Sequence, residues 1–127
     1  AAGAKRALPL AVSAPFHSSL MKPAAERLKD KLAAAALVMP RIPVVNNIDA
    51  AVQTDPEAIR DALYRQAFGP VRWVEVVQAL RQRGLTHVLE CGPGKVLSGL
   101  VKRVDADTVS MTVLDPATLA EARSLLA

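Results

Sequence analysis

Residues 86–100 read Thr86-His87-Val88-Leu89-Glu90-Cys91-Gly92-Pro93-Gly94-Lys95-Val96-Leu97-Ser98-Gly99-Leu100. The first six residues form the clearest predicted strand, consistent with a place inside a sheet. A glycine-rich turn ends this strand, and a helix is predicted to begin at about Lys95. A strand that passes through a tight turn into a helix is the repeating unit of α/β proteins. The segment therefore predicts an α/β fold.

Strand-like and helix-like segments alternate on both sides of this unit. Thr54 and Glu57 have the spacing of a capping box at a helix start, and Gly84 is predicted to end another helix in the left-handed conformation. The predicted strands are 6–13, 42–48 and 109–114, and the predicted helices run from Ser18 or Ser19 to about residue 37, from residue 54, over 71–83, and from Asp115-Pro116.

Composition limits the class of protein. The 127 residues are 51% hydrophobic and 22% charged, which is typical of one folded domain and not of a disordered chain. The longest apolar run, 33–39, is far too short for a membrane span, and no secretory signal opens the sequence. The single cysteine, Cys91, excludes an internal disulfide and favours a reducing cytoplasm. We therefore expect a cytoplasmic protein that does not bind membranes.

The formal net charge of +4 suits an acidic partner. Because the basic residues are scattered along the predicted helices and are not interleaved with aromatic residues, they do not indicate nucleic-acid binding.

The glycine-rich turn allows a nucleotide interpretation, since a helix N-terminus attracts phosphate. The spacing disfavours it. Leu89 occupies the first glycine position of a P-loop, and Leu97 occupies the third glycine position of the dinucleotide fingerprint. A tight turn is the structural alternative. A metal site is also disfavoured, because His17, His87 and Cys91 lack a recognised zinc spacing.

His17 lies in the loop between the first predicted strand and helix, between Phe16 and Ser18. Its side chain can exchange a proton near neutral pH, so it is a candidate general base, with a structural hydrogen bond as the alternative role. No matching nucleophile is evident. Ser98 lacks the Gly-x-Ser-x-Gly elbow, and Ser18 and Ser19 are assigned to the helix start.

Four segments together resemble one family. Residues 12–25, Val12-Ser13-Ala14-Pro15-Phe16-His17-Ser18-Ser19-Leu20-Met21-Lys22-Pro23-Ala24-Ala25, look like the histidine segment of malonyl-CoA:acyl carrier protein transacylases. The other three segments are similar to that family in order and spacing, and the four cover nearly the whole chain. They are Pro43-Val44-Val45-Asn46-Asn47-Ile48-Asp49, Arg65-Gln66 with Pro70-Val71-Arg72-Trp73, and residues 90–100 with Gly92-Pro93-Gly94-Lys95.

The resemblance implies an activity and a set of roles. Enzymes of this family move a malonyl group from coenzyme A to acyl carrier protein in fatty acid biosynthesis, by a ping-pong mechanism through a serine. His17 would act as general base and then general acid, and the backbone carbonyl of Gln66 would orient it. Phe16 would restrict the room for a branched acyl group. The implied partners are acyl carrier protein and malonyl-CoA, with the coenzyme A thioester as substrate and no covalently bound cofactor or metal.

The resemblance also implies an architecture. Residues 17–127 would be the C-terminal part of a large α/β hydrolase-like acyltransferase body, and residues 1–16 would end a small ferredoxin-like subdomain with an edge strand. The family's serine elbow, malonyl-binding arginine and oxyanion-hole glutamine lie upstream of the matching segments. We therefore expect an inactive fragment that needs the missing N-terminal segment as a partner. The alternative is a non-catalytic module of the same fold that binds the carrier protein.

Overall fold

The computed structural model describes Gly3, residues 7–9 and residues 11–127. A short 3-10 turn at Ser19–Met21 precedes the first helix. The helices and strands in chain order are α1 (Lys22–Ala34), α2 (Pro56–Gln66), α3 (Trp73–Gln82), β1 (His87–Cys91), α4 (Val96–Val104), β2 (Val109–Val113) and α5 (Pro116–Leu125).

The second half of the chain contains a β-α-β unit. Strands β1 and β2 pair in parallel, with His87 opposite Val109 and Cys91 opposite Val113. Parallel neighbours need a crossover connection, and α4 supplies it. Val101 of α4 is only 1% exposed, and α4 contacts both strands. The predicted α/β class is thus confirmed as a mixed α/β chain with two parallel strands.

The remaining helices pack around this unit and beside it. Val76 and Val77 of α3 are buried, and α3 packs on α4. Helix α5 packs on β2 and buries Ala122. Helices α1 and α2 form a separate pair, in which Ala25 and Ala62 are buried. Small side chains at these two positions allow the helix axes to approach closely.

Two helix starts use an aspartate followed by proline. Asp115 accepts the Thr118 N–H at 2.8 Å, and the Thr118 hydroxyl completes a capping box, so the predicted start of α5 is confirmed. The predicted box at Thr54 and Glu57 is displaced by one residue. Asp55 is the N-cap of α2 and accepts the Ala58 N–H at 2.8 Å. Pro56 is the first helical residue, a position where its fixed φ fits and no N–H is needed. The proline therefore places the N-cap at Asp55.

The predicted strand over 42–48 is absent. Only an isolated antiparallel bridge joins Val45 to Val52 in this region. Pro40 and Pro43 lack the N–H groups that a ladder needs, and Asn46 starts a turn by accepting the Asp49 N–H at 2.7 Å. The Asn46 side chain therefore bonds within its own loop, and the predicted strand before it is wrong.

The described residues of the predicted strand 6–13, which are 7–9 and 11–13, are also outside any strand. A strand needs a paired neighbour, and nothing in the described ranges pairs with this segment. Arg6 and Leu10 lie outside the described residues, as do 1, 2, 4 and 5. The expected domain boundary at residue 16 stays a prediction.

The helix boundaries also differ from their predictions. Helix α1 ends at Ala34 because Ala35 is extended and its carbonyl accepts the Leu37 N–H at 3.0 Å. Helix α3 begins at Trp73 because the backbone of Arg72 is not helical, with φ −90° and ψ 59°, and the Arg72 N–H is donated to the Asn47 carbonyl at 2.9 Å. Gly84 ends α3 with φ +84°, as predicted. No helix in the described ranges combines the length and apolar character of a membrane span.

Candidate active site

His17 is presented by a tight loop between the N-terminal residues and the 3-10 turn. Its φ of +57° lies in the left-handed region, which is uncommon for a residue with a Cβ. The Ser18 hydroxyl donates to the Pro15 carbonyl at 2.7 Å and closes this loop. Ser18 precedes the 3-10 turn, but its side chain caps no N–H. The prediction that Ser18 or Ser19 caps the helix is therefore wrong, because the Ser18 hydroxyl holds the loop that carries His17 and the N-cap of α1 is Met21.

The imidazole of His17 contacts the end of α2. Nδ1 of His17 lies 3.0 Å from the carbonyl oxygen of Gln66. Since a carbonyl only accepts hydrogen bonds, Nδ1 carries the proton in this contact, and Nε2 of the neutral ring is left as a proton acceptor. The structure thus brings together the two residues that the resemblance pairs. The catalytic role of the pair stays a prediction.

The position of Gln66 in α2 explains why its carbonyl is available. It is the last residue of the helix, and the last four carbonyls of an α-helix have no partner within the helix. Gln66 lies on the same face of α2 as Ile59, Ala62 and Leu63, by their i, i+3, i+4 and i+7 spacing. These four residues line a cleft of about 440 Å³ together with eight residues of the preceding loop, which are Val38, Pro40, Val44, Val45, Asn46, Asn47, Val52 and Gln53. Gln66 therefore presents its backbone to the imidazole and also lines the cleft.

Phe16 lies next to His17 but is 61% exposed. Its predicted effect on acyl selectivity stays a prediction.

An ion-pair cluster beside Gln66 is not predicted by the sequence patterns. Arg65 makes a bidentate pair with Asp49, with Nη1–Oδ1 at 2.7 Å and Nη2–Oδ2 at 2.8 Å, and its Nε lies 2.6 Å from Asp61 Oδ2. The Arg65 guanidinium holds the pKa of Asp49 below its usual range, and the two carboxylates raise the pKa of Arg65. The i,i+4 spacing of Asp61 and Arg65 could have been recognised in the sequence, whereas the pairing with Asp49 depends on the fold.

The glycine-rich turn leads into α4, and the N–H groups at the N-terminus of α4 are already hydrogen-bonded to a side chain of the same chain. The Glu90 carboxylate accepts the N–H groups of Leu97 at 3.1 Å and Ser98 at 2.8 Å, and the Ser98 hydroxyl at 2.8 Å. These bonds, led by the Ser98 N–H, lower the pKa of Glu90. Because a carboxylate of the chain itself takes the donors that a phosphate would use, the tight-turn interpretation is favoured over nucleotide binding.

The chain is similar to known proteins in both sequence and fold. A scan against protein-family models finds no match. The malonyl CoA-acyl carrier protein transacylase of Salmonella typhimurium is 52% identical over 123 residues, which are 96% of this chain and 40% of that protein. Relatives of the same name align through their C-terminal portion. The chain is homologous to the C-terminal part of malonyl CoA-acyl carrier protein transacylases.

Solved transacylase structures agree with this homology. The acyl-carrier-protein S-malonyltransferase of Burkholderia pseudomallei is 63% identical, with a TM-score of 0.90 over 96% of this chain and 40% of that chain. A malonyl-transacylase in complex with a type II PKS acyl-carrier protein is 48% identical, with a TM-score of 0.93 over 98% of this chain and 40% of that chain. The 127 residues therefore span about two fifths of the transacylases they match.

Proposed function

We propose that this chain is the C-terminal portion of an [acyl-carrier-protein] S-malonyltransferase and supplies its catalytic histidine. The observation that carries the proposal is the 3.0 Å contact between His17 Nδ1 and the Gln66 carbonyl. A neutral carbonyl fixes the tautomer of the imidazole without adding a charge, and it leaves Nε2 as the proton acceptor. This is the state that a general base needs.

The proposed chemistry has two half-reactions. In the first, His17 Nε2 takes the proton of a serine hydroxyl while the serine oxygen attacks the malonyl thioester. The carbon–sulfur bond breaks, and the imidazolium returns its proton to coenzyme A. In the second, the imidazole takes the proton of the carrier's phosphopantetheine thiol, whose sulfur attacks the malonyl-serine ester. The proton returns to the serine oxygen, and the enzyme is restored.

The serine of this scheme would come from the N-terminal portion of the transacylase. Ser98, the serine nearest to a glycine-rich turn, donates its hydroxyl to Glu90, and Ser18 donates to Pro15. Neither hydroxyl is directed to His17, which supports a nucleophile from outside these 127 residues. The malonyl-binding arginine and the oxyanion-hole glutamine would come from the same N-terminal portion.

The proposed architecture follows from the homology. Residues 17–127 would belong to the large α/β hydrolase-like body, and residues 1–16 would end the small ferredoxin-like subdomain. A two-stranded sheet is marginal by itself, and apolar side chains such as Val38, Ile42 and Val96 are largely exposed. Both features support burial of these surfaces by the N-terminal portion.

Acyl carrier protein is the proposed acceptor. The complex of a homologous malonyl-transacylase with an acyl-carrier protein supports this choice. The positive net charge of the chain is complementary to an acidic carrier, and basic residues at the end of α4, Lys102 and Arg103, are candidates for the contact.

The test is to combine the chain with the N-terminal portion of a homologous transacylase that carries Gly-His-Ser-x-Gly. The two pieces together form a reconstituted transacylase. Transfer of malonyl from malonyl-CoA to acyl carrier protein is expected with both pieces and with neither alone. A chain that binds the carrier protein but gives no transfer with a folded N-terminal portion would instead be a non-catalytic module.

A further inference from the structure

The loop that follows Val45 is joined to the C-terminal end of α2 by a two-pronged ion pair. Both terminal nitrogens of Arg65 contact the two carboxylate oxygens of Asp49, at 2.7 and 2.8 Å. Both side chains are only about one third exposed, 36% for Arg65 and 30% for Asp49. A bidentate pair of this kind restricts orientation as well as distance.

Asp49 is itself held within its loop. Its N–H is donated to Asn46 Oδ1 at 2.7 Å, and its Oδ2 also accepts Gln53 Nε2 at 3.0 Å. These contacts hold the Asp49 carboxylate in one direction independently of Arg65. The ion pair with Arg65 then ties the position of the loop to the position of α2.

The turn after α2 is attached to the same loop at two further points. Gly69 is buried against Ile48, so closely that a Cβ on Gly69 would collide with Ile48 Cδ1. The Arg72 N–H is donated to the Asn47 carbonyl at 2.9 Å. Gln66 thus lies between the Arg65 anchor on one side and the Gly69 and Arg72 anchors on the other.

We propose that Asp49 is a positioning residue that, through Arg65, fixes the Gln66 carbonyl and thereby the tautomer and orientation of His17. Its consequence for malonyl transfer rests on the proposed function, whereas the effect on the imidazole does not. A carbonyl selects one tautomer only while its own place is fixed, and residues behind a functional group commonly provide that fixation.

Asp61 offers a matched control. It contacts the same guanidinium, with Arg65 Nε–Oδ2 at 2.6 Å. Because Asp61 and Arg65 are both residues of α2, this pair lies within the helix and does not join it to the loop. Asp49→Asn and Asp61→Asn therefore make the same chemical change on the same arginine, but only the first loosens the anchor.

The experiment measures the ¹⁵N shifts of the histidine ring nitrogens in the 127-residue chain at a pH where the rings are neutral. The chain has two histidines, and His87 serves as the internal reference. In the unmodified chain we expect His17 to show a protonated Nδ1 and an unprotonated Nε2. In Asp49→Asn the two shifts of His17 are expected to move toward those of free histidine. In Asp61→Asn they are expected to stay unchanged.

Unchanged His17 shifts in a folded Asp49→Asn variant would overturn the proposal, as would equal movement in both variants. Circular dichroism establishes folding. If Asp49→Asn does not fold, Arg65→Lys replaces it, because lysine keeps the charge but has no fork to hold both oxygens. Movement of the His17 shifts in that variant supports the proposal, and no movement contradicts it. No substrate enters the measurement, so its result is independent of whether the chain takes part in malonyl transfer.

Discussion

The Gln66 carbonyl oxygen lies 3.0 Å from Nδ1 of His17, although the two residues are 49 positions apart in the chain. One of them belongs to a loop with a left-handed backbone, and the other is the last residue of a helix. The contact therefore depends on how α2 is placed against the N-terminal loop. It leaves Nε2 free for chemistry, which is the basis of the proposed role of His17.

Removing the imidazole tests that role in the reconstituted transacylase. His17→Ala is expected to lower malonyl transfer by about 10²–10⁴-fold, the usual worth of a positioned general base. His87→Ala is the control, because that ring contacts only its neighbour Thr86 in the described hydrogen bonds and lies on β1. Turnover of His17→Ala that equals that of His87→Ala would contradict the assignment. Gln66→Ala should lower transfer less, since its backbone carbonyl remains.

Replacing Phe16 tests the acyl selectivity implied by the homology. In the reconstituted transacylase, Phe16→Ser is expected to raise the use of methylmalonyl-CoA relative to malonyl-CoA by roughly tenfold or more. One methyl group in an apolar site changes the discrimination between two substrates by about that factor. Leu20→Ser removes another exposed apolar side chain from the same region and is the control. The measurement is competition between the two thioesters. A ratio that is the same in all three proteins would show that Phe16 does not set selectivity.

The hydrogen bonds to the Glu90 carboxylate predict that the free energy of unfolding depends on pH. Its pKa in the folded chain lies below the ordinary value of 4.5, first because of the Ser98 N–H. The stabilising contribution is therefore complete above about pH 4.5 and is lost as the pH falls through the folded pKa. Glu90→Gln should flatten the fall in the free energy of unfolding over this range, measured by urea unfolding. Parallel curves for the two proteins would refute this expectation.

Two glycines should respond to alanine in opposite directions. Gly84 has φ +84°, so Gly84→Ala is expected to destabilise the fold by about 1 kcal/mol although no atom blocks the methyl group. Gly99 lies inside α4 with open space around its Cβ position, so Gly99→Ala is expected to stabilise the chain by about 0.5–1 kcal/mol. Urea unfolding of both variants gives the comparison. A loss of stability in Gly99→Ala would indicate that α4 needs the glycine for another reason.

Local signals in the sequence predicted the parts of the fold that local forces decide. The strand β1 before its glycine-rich turn, the glycine that ends α3 and the Asp115-Pro116 start of α5 are each decided by residues close together in the sequence. The predicted strand over 42–48 is wrong, although its apolar residues are typical of a strand. Pro43 within it, Pro40 just before it and the Asn46 turn reduce the pairing to a single bridge at Val45.

The candidate site depends on contacts that sequence spacing does not contain. The family resemblance predicted the pairing of His17 with Gln66. No periodicity in the sequence indicates that contact. The Asp49–Arg65 ion pair joins residues 16 positions apart across a loop whose course was not predicted. Such pairs arise only when tertiary packing has placed both elements, so the charge pattern alone could not identify the anchor beside Gln66.

We propose that His17 serves a serine outside these 127 residues. The most direct test of this role is incubation with radiolabelled malonyl-CoA, followed by isolation of stable covalent label and location of the labelled residue by peptide mapping. We expect no label on the chain alone. In the reconstituted transacylase we expect label on the elbow serine of the N-terminal portion, formed more slowly with His17→Ala. Label on Ser18 or Ser19 of the isolated chain, lost when that serine is replaced, would contradict the proposed role of His17.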